Sequence, residues 1–336
     1  MSFSVRLLPA DNRFEIGPHE TVLEAALRAG SAVNYGCSNG NCGLCKARLI
    51  SGELRELKHY DFHFSAAEQA DGYFLMCAHG AAGDLEIEAV EARDVAEIPY
   101  QQIDAKVRRV DPAAEDVAVL RLRSPRTRRL RFLAGQRARV SFSPEVGADL
   151  SIASCPCDDL HLEFHVPRRH NDPFSDQVFE TLKPGDRVTV EGPAGSFVLD
   201  EDSPRPALMI AIGTGFGPIK GLIEHAIALE EERGICLVWP GLDAYPRYMG
   251  NLCRSWADAL DDFYYYPVDV AGAPSSTSGQ DEQLAQALDE TLARCDGVSG
   301  RDAYVAGPAD MLPPIARTLQ ALGLPAERIR VERLQA

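Results

Sequence analysis

Hydrophobic and polar positions along the chain change rhythm twice. In the first ninety or so residues short alternating stretches, Ser4 to Leu8, Cys45 to Ile50 and Leu85 to Ala89, predict strands. Between them TVLEAALRAG places apolar residues at helical spacing and stops at Gly30. A strand pair, a helix, an irregular loop and return strands describe a small β-grasp unit over residues 1–93, followed by a linker in EARDVAEIPYQQ. From 103 to 202 the pattern is one of short strands, AKVRRV, VAVLRLR, ARVSFS, HLEFHV and RVTVEG, separated by turn signals such as KPGD and GPAG, which predicts a closed antiparallel barrel. From 204 to 336 strands alternate with helices: ALMIAIG, IKGLIEHAIALEEE, ICLVW, MGNLCRSWADAL, FYYYPVDV, DEQLAQALDETLA, DAYVAG and ADMLPPIARTLQALG. That alternation predicts a doubly wound α/β unit with a parallel sheet, AGAPSSTSGQ being a surface loop and FYYYP a buried parallel strand.

Composition narrows this three-unit reading. The 336 residues exceed one ordinary core, and 45% hydrophobic with 25% charged residues is globular composition. A formal charge of −16 argues against a general nucleic-acid binder and against docking on anionic lipid. No apolar run reaches membrane-spanning length and MSFSVRLLPADNRF lacks a signal-peptide layout, so a soluble cytoplasmic protein is expected. The nine cysteines then read as reduced thiols.

Four of them carry chemistry. Cys37, Cys42 and Cys45 in YGCSNGNCGLC, with Cys77 in FLMCAHG, have the spacing C-x4-C-x2-C and then thirty-one residues to the fourth. This is the plant-type arrangement for a 2Fe–2S cluster: one glycine-rich loop wraps three thiolates around the cluster and a distant strand supplies the fourth. Zinc is the rival for four thiolates, but its ribbons take two C-x2-C pairs. His59, His63 and His79 lack the pairing a Rieske site needs. Cys155, Cys157, Cys236, Cys253 and Cys295 are read as ordinary thiols, including the C-P-C pair. No G-x-S-x-G elbow or HExxH occurs, which removes the hydrolase readings.

GTGFGP, from Gly213 through Thr214, Gly215 and Gly217 to Pro218, follows the first parallel strand and precedes its helix, where backbone amides approach a pyrophosphate. DAYVAGPADML adds a second turn at Gly307 and Pro308, so two glycine turns flank one crevice.

In this order, the cluster loop, a barrel with F-x-x-G-Q (Phe132, Gly135, Gln136), GTGFGP and GPADM resemble one family across essentially the whole chain. It is the ferredoxin–NAD(P)+ reductase-like electron-transfer components of bacterial oxygenases, related to the reductases of phenol hydroxylase, ring-hydroxylating dioxygenases and a deoxysugar dehydrase. The resemblance implies NADH on the last unit, FAD on the barrel, the 2Fe–2S cluster as exit, and a partner oxygenase or dehydrase as terminal acceptor. A flavin is the converter such a chain requires, because nicotinamide delivers two electrons and the cluster takes one.

The flavin motif departs from the family. Its Arg-x-Tyr-Ser corresponds to Ala148, Asp149, Leu150 and Ser151, leaving only Ser151 for the flavin N5 region. The Gly-Gly turn for pyrophosphate corresponds to Asn171 and Asp172, with Ser175 at the hydroxyl position. Eleven basic residues between Lys106 and Arg139, together with Arg168 and Arg169, are candidate phosphate partners. Two readings stay open: a reductase with compensated flavin binding, or a flavin-free cluster carrier on the same scaffold. Ala306 replaces the cysteine beside nicotinamide and Leu334 the C-terminal aromatic. Glu332 matches the family carboxylate that orients nicotinamide or relays a proton, although its place near the end of the chain reads as a surface helix or tail glutamate. PGLDAYPRYM offers only Arg247 for a 2′-phosphate, which favours NADH.

Overall fold

A computed structural model describes residues 2–335 except 92–94, 126–127, 231–232, 243–245, 271–276 and 296. Part of the expected linker, of the PGLDAYPRYM stretch and of the AGAPSSTSGQ loop lies outside the described residues.

The N-terminal unit runs β1 (Phe3–Leu8), β2 (Asn12–Ile16), α1 (Val22–Arg28), β3 (Lys46–Ser51), β4 (Leu54–Glu56), α2 (Ala66–Ala70), β5 (Tyr73–Leu75), β6 (His79–Ala81) and β7 (Leu85–Glu88). Five strands form a mixed sheet in the order β2-β1-β7-β3-β5, with β1 and β7 parallel. A capping box between Thr21 and Glu24 starts α1, which buries Val22, Leu23, Ala25, Ala26 and Leu27 over the sheet. The sequence reading lacked β4, β5, β6 and α2, which are too short to show a period.

The barrel contains β8 (Gln101–Ala114), β9 (Val117–Arg123), β10 (Arg137–Ser141), β11 (Gly147–Ser151), β12 (His161–Pro167), α3 (Pro173–Glu180) and β13 (Arg187–Ala194). Its strands are antiparallel in the order β11-β10-β13-β8-β9-β12. The bridge Ile152↔Phe164 closes the ring beyond β11.

The C-terminal sheet is parallel: β14 (Ala207–Ala211), β15 (Ile235–Gly241), β16 (Phe263–Asp269), β17 (Asp302–Pro308) and β18 (Ile329–Leu334), in the order β16-β15-β14-β17-β18. Helices α4 (Phe216–Ala228), α5 (Gly250–Ala259), α6 (Thr277–Leu292) and α7 (Leu312–Ala321) cover it, and separate cores lie on its two faces. Strand order reverses at β14, so its carboxyl end and that of β17 form the crevice where ligands bind in such sheets. Two expectations change. Residues 277–280 of the expected loop begin α6, and FYYYP is the edge strand β16, with Tyr264 half exposed.

Candidate redox and nucleotide site

The four thiols near the N-terminus assemble as two pairs. Cys37 Sγ accepts backbone N–H groups of Asn41 and Cys42, each at 3.3 Å, and Cys42 Sγ accepts those of Cys37 at 3.4 Å and Leu44 at 3.5 Å. Burial works to raise the Cys37 thiol, but amides from Asn39, Asn41 and Cys42 hold it below its ordinary value. Cys45 and Cys77 share a hydrogen bond, which draws Cys77 down to about 7 and pushes Cys45 up. The loop needs its glycines: at Gly43 (φ +73) a Cβ would stand 2.2 Å from the Phe62 ring, and at Gly40 (φ +84) 2.4 Å from Tyr60 Cβ. Two thiol pairs with amides directed at sulfur fit a binuclear cluster, in which each iron takes two thiolates.

The two glycine turns meet. A Cβ on Gly215 would lie 2.1 Å from Ala306 O and 2.8 Å from Gly307 N, and one on Gly307 would lie 2.8 Å from Ile212 Cβ. Gly213, Thr214, Gly215, Gly217, Pro218, Gly307 and Pro308 therefore form one wall at the carboxyl ends of β14 and β17.

Beside this wall Ser151 Oγ donates to Glu332 Oε1 at 3.3 Å, and Arg137 Nη1 lies 3.7 Å from the same oxygen. Glu332 is not on an exposed tail. It sits in β18 and is 5% exposed, and burial raises its carboxyl above the usual range against the pull of Arg137 and Ser151.

The phosphate candidates are differently placed. Arg168 pairs with Glu180 at 3.0 Å and covers Phe179; Arg169 binds the Gln335 carbonyl and lies 3.9 Å from Asp172. Ser175 Oγ accepts Arg169 N–H and donates to Pro167 O, so its hydroxyl is spent on backbone. Asn171 takes φ +57, as a glycine would, while Asp172 caps α3 with its own carboxylate. Ala148 and Leu150 belong to the barrel core, cross-strand from Val140 and Ala138. Arg137 and Arg139 lie opposite Ser151 and Asp149 on the other face of this strand pair. Ser151, Glu332 and Arg137 thus meet at the ring end, with Arg139 one register step along β10.

Residues 5–81 match the 2Fe–2S iron–sulfur cluster binding domain and 209–316 the oxidoreductase NAD-binding domain. The chain is 31% identical over 292 residues, 87% of each protein, to the CDP-6-deoxy-L-threo-D-glycero-4-hexulose-3-dehydrase reductase of Yersinia pseudotuberculosis. It is 30% identical to reductase component 2 of the terephthalate 1,2-dioxygenase of a Comamonas species, over 79% of this chain and 78% of that one. An Amycolatopsis cytochrome P450 reductase shares the fold over 99% of both chains, with a TM-score of 0.61 and 26% identity. The chain belongs to this family of iron–sulfur reductases.

Two buried polar seams join the units of the reductase, and sequence patterns signalled neither. Between barrel and parallel sheet, His165 Nε2 lies 3.0 Å from Glu163 and Nδ1 2.7 Å from Tyr248 Oη. Ionised Glu163 only accepts, so Nε2 carries the proton and Nδ1 accepts from Tyr248. Burial would raise Glu163, but His165, Lys220 and Arg121 hold it at about 2. Lys220 Nζ also donates to Ala153 O at 3.1 Å.

Between cluster unit and barrel, Arg129 N–H donates to Gly36 O at 3.2 Å, Arg131 bonds Asn34, and Asp159 lies against Tyr35 and 3.7 Å from Arg129 Nε. Burial raises the Asp159 carboxyl and the Tyr35 phenol alike. The expectation of nine reduced thiols also changes: Cys155 and Cys157 are joined as a disulfide, their Cα atoms 5.2 Å apart and within disulfide reach.

Proposed function

We propose that the reductase takes hydride equivalents from NADH and delivers single electrons, through FAD and the 2Fe–2S cluster, to a separate oxygenase or dehydrase protein. The observation that carries this is the Ser151–Glu332 contact beside the paired glycine turns, which puts a polar barrel rim and the nucleotide crevice at one place. When bound, a flavin supplies the conversion from an electron pair to single electrons, and a 2Fe–2S cluster supplies a one-electron store.

The chain's own residues do the rest. The wall from Gly213 to Pro218 holds the dinucleotide phosphates at the start of α4, and Gly307 with Pro308 confines the nicotinamide end. Ser151 presents a hydroxyl, and Glu332 keeps a carboxyl whose proton is retained to higher pH than in water. Arg137 and Arg139, with Arg168 and Arg169 farther along, offer positive charge to phosphate. Cys37, Cys42, Cys45 and Cys77 hold the cluster. Arg247 is engaged by Asp269 and by the Val268 carbonyl at 2.6 Å, which leaves it poorly placed for a 2′-phosphate and supports NADH over NADPH. The working units are residues 1–93, 103–202 and 204–336. No described helix is long and apolar enough to cross a membrane, and we place the reductase in the cytoplasm.

The test is the purified holoprotein under anaerobic NADH. Flavin released into the filtrate after denaturation, with NADH-driven reduction of both ferricyanide and cytochrome c, is the expected result. Protein that copurifies without flavin and reduces neither dye with excess FAD would favour a flavin-free carrier.

A further inference from the structure

The segment after Ser151-Ile152-Ala153 runs through Cys155-Pro156-Cys157 to Asp159, linking the hydride site to the seam against Tyr35 of the cluster unit. Its two sulfurs lie where all three units meet. A small cavity there is lined by Gly30 and Tyr35 of the cluster unit, Arg131 and Cys157 of the barrel and His225 of α4. Gly30 is pressed against α4: a Cβ on it would stand 2.8 Å from Leu229 and 3.5 Å from His225.

His225 is buried, with Nδ1 3.9 Å from Cys155 Sγ and Nε2 3.1 Å from Glu201 Oε1. The carboxylate of Glu201 accepts from Nε2–H, which leaves Nδ1 unprotonated and facing sulfur. Cys155 Sγ also accepts the N–H of Cys157 at 3.2 Å. A thiol, an imidazole acceptor and a carboxylate that orients the imidazole form a nucleophile–base–orienter relay. Neither the iron–sulfur ligands nor the nucleotide wall uses it.

We propose that Cys155 and Cys157 form a reversible dithiol–disulfide site, with Cys155 the peroxide-reactive nucleophile, His225 its base and Glu201 the group that orients the base. In the reduced form Nδ1 accepts the Cys155 proton. The thiolate attacks one oxygen of hydrogen peroxide; the S–O bond forms, the O–O bond breaks, and hydroxide leaves to take up a proton as water. Sulfur loses two electrons and peroxide gains them. Cys157 then attacks the Cys155 sulfenic acid, forming S–S as the S–O bond breaks and a second water departs. A dithiol reductant returns two electrons and two protons, and is itself oxidised to a disulfide. Cys157 is half-buried and lines the small cavity, whereas Cys155 is covered, so peroxide has to reach it through that cavity. Glu201 stands on an acidic rim with Asp200 and Asp202, and Glu91 faces it from the cluster unit. On the sulfur side Arg131 and the Tyr35 phenol complete the titratable surroundings. The site goes beyond the reductase reading and its readout is thiol chemistry, so it stands or falls separately from the flavin assignment.

The experiment uses dithiothreitol-reduced, desalted holoprotein given equimolar hydrogen peroxide, with alkylation of remaining thiols and peptide mass spectrometry. Cys155 and Cys157 are expected to lose two hydrogens together while the buried thiol of Cys253 remains alkylatable after unfolding. Cys157→Ser stops at a sulfenic acid on Cys155 that dimedone traps. His225→Asn slows closure roughly tenfold or more. Glu201→Gln, at a half-exposed side chain that leaves the fold intact, slows closure and lowers the thiolate fraction of Cys155 at a given pH, so its alkylation profile moves to higher pH. Two persistent free thiols after peroxide, or closure at the wild-type rate in both His225→Asn and Glu201→Gln, would overturn the proposal.

Discussion

The Ser151 hydroxyl donates to Glu332 Oε1 across 181 residues of chain, tying the last residue of β11 to the outermost strand of the parallel sheet. Because the carboxyl is buried, its folded-state pKa lies above the ordinary value near 4.3. A raised carboxyl pKa contributes stability below the unfolded pKa and loses it as pH rises through the folded one. Glu332→Gln is therefore expected to gain stability relative to wild type as pH rises, read as the difference in melting temperature between pH 4 and pH 8. Its turnover with NADH should fall by about a factor of ten or more. A variant that follows wild type at both pH values would show that the carboxyl does not titrate differently on folding.

Glu163 has the opposite sign. Held at about 2 by His165, Lys220 and Arg121, it contributes stability present above the unfolded value near 4.3 and lost as pH falls towards about 2. Glu163→Gln should cost about 1–3 kcal/mol at pH 7, because it removes the charged acceptor shared by His165, Lys220 and Arg121, while Glu224 and Asp111 still pair the last two. The cost should shrink below pH 3. Urea unfolding at both pH values checks this, and an equal loss at both would refute it.

Cys42→Ser is expected to strip the cluster, because each iron needs both of its thiolates. Iron content and cytochrome c reduction should collapse while NADH-driven ferricyanide reduction survives, since barrel and parallel sheet have their own cores. Full iron retention would break the ligand assignment.

The glycine turns separate packing from ligand contact. Gly215→Ala meets Ala306 O and Gly307 N, so it should destabilise by about 1–3 kcal/mol and raise the KM for NADH. Gly217→Ala places its Cβ at ordinary contact, 3.5 Å from His165 and 3.6 Å from Ala153, so the fold should hold and only the KM should rise. Differential scanning calorimetry with steady-state kinetics distinguishes the two. Unchanged kinetics in the Gly217 variant would remove that residue from the nucleotide site.

The gathering of the cysteine loop and the parallel strands were legible because their signals are local: a thiol spacing within nine residues, and apolar runs bounded by glycine. The burial of Glu332 was not, since the IRVERL strand is covered only after β17 pairs with it and Ser151 arrives from another unit. Nor did spacing show that Ser175 turns its hydroxyl onto backbone, or that Ala148 and Leu150 face the barrel interior. Strand parity there is set by the pairing of β11 with β10, which residue type alone does not reveal. The C-P-C pair looked inert because its partners, His225 and Glu201, come from 44 to 70 residues farther along the chain.

At the carboxyl ends of β14 and β17 the Ala306–Gly307 peptide occupies the space that a side chain on Gly215 would need, and Ile212 occupies the space that one on Gly307 would need. The two turns are thus not independent letters of a motif. A side chain at 215 has to displace the 306–307 backbone and one at 307 has to displace Ile212 just ahead of Gly213, so each turn limits the backbone positions open to the other, and the turns can be exchanged with a relative only as a matched pair.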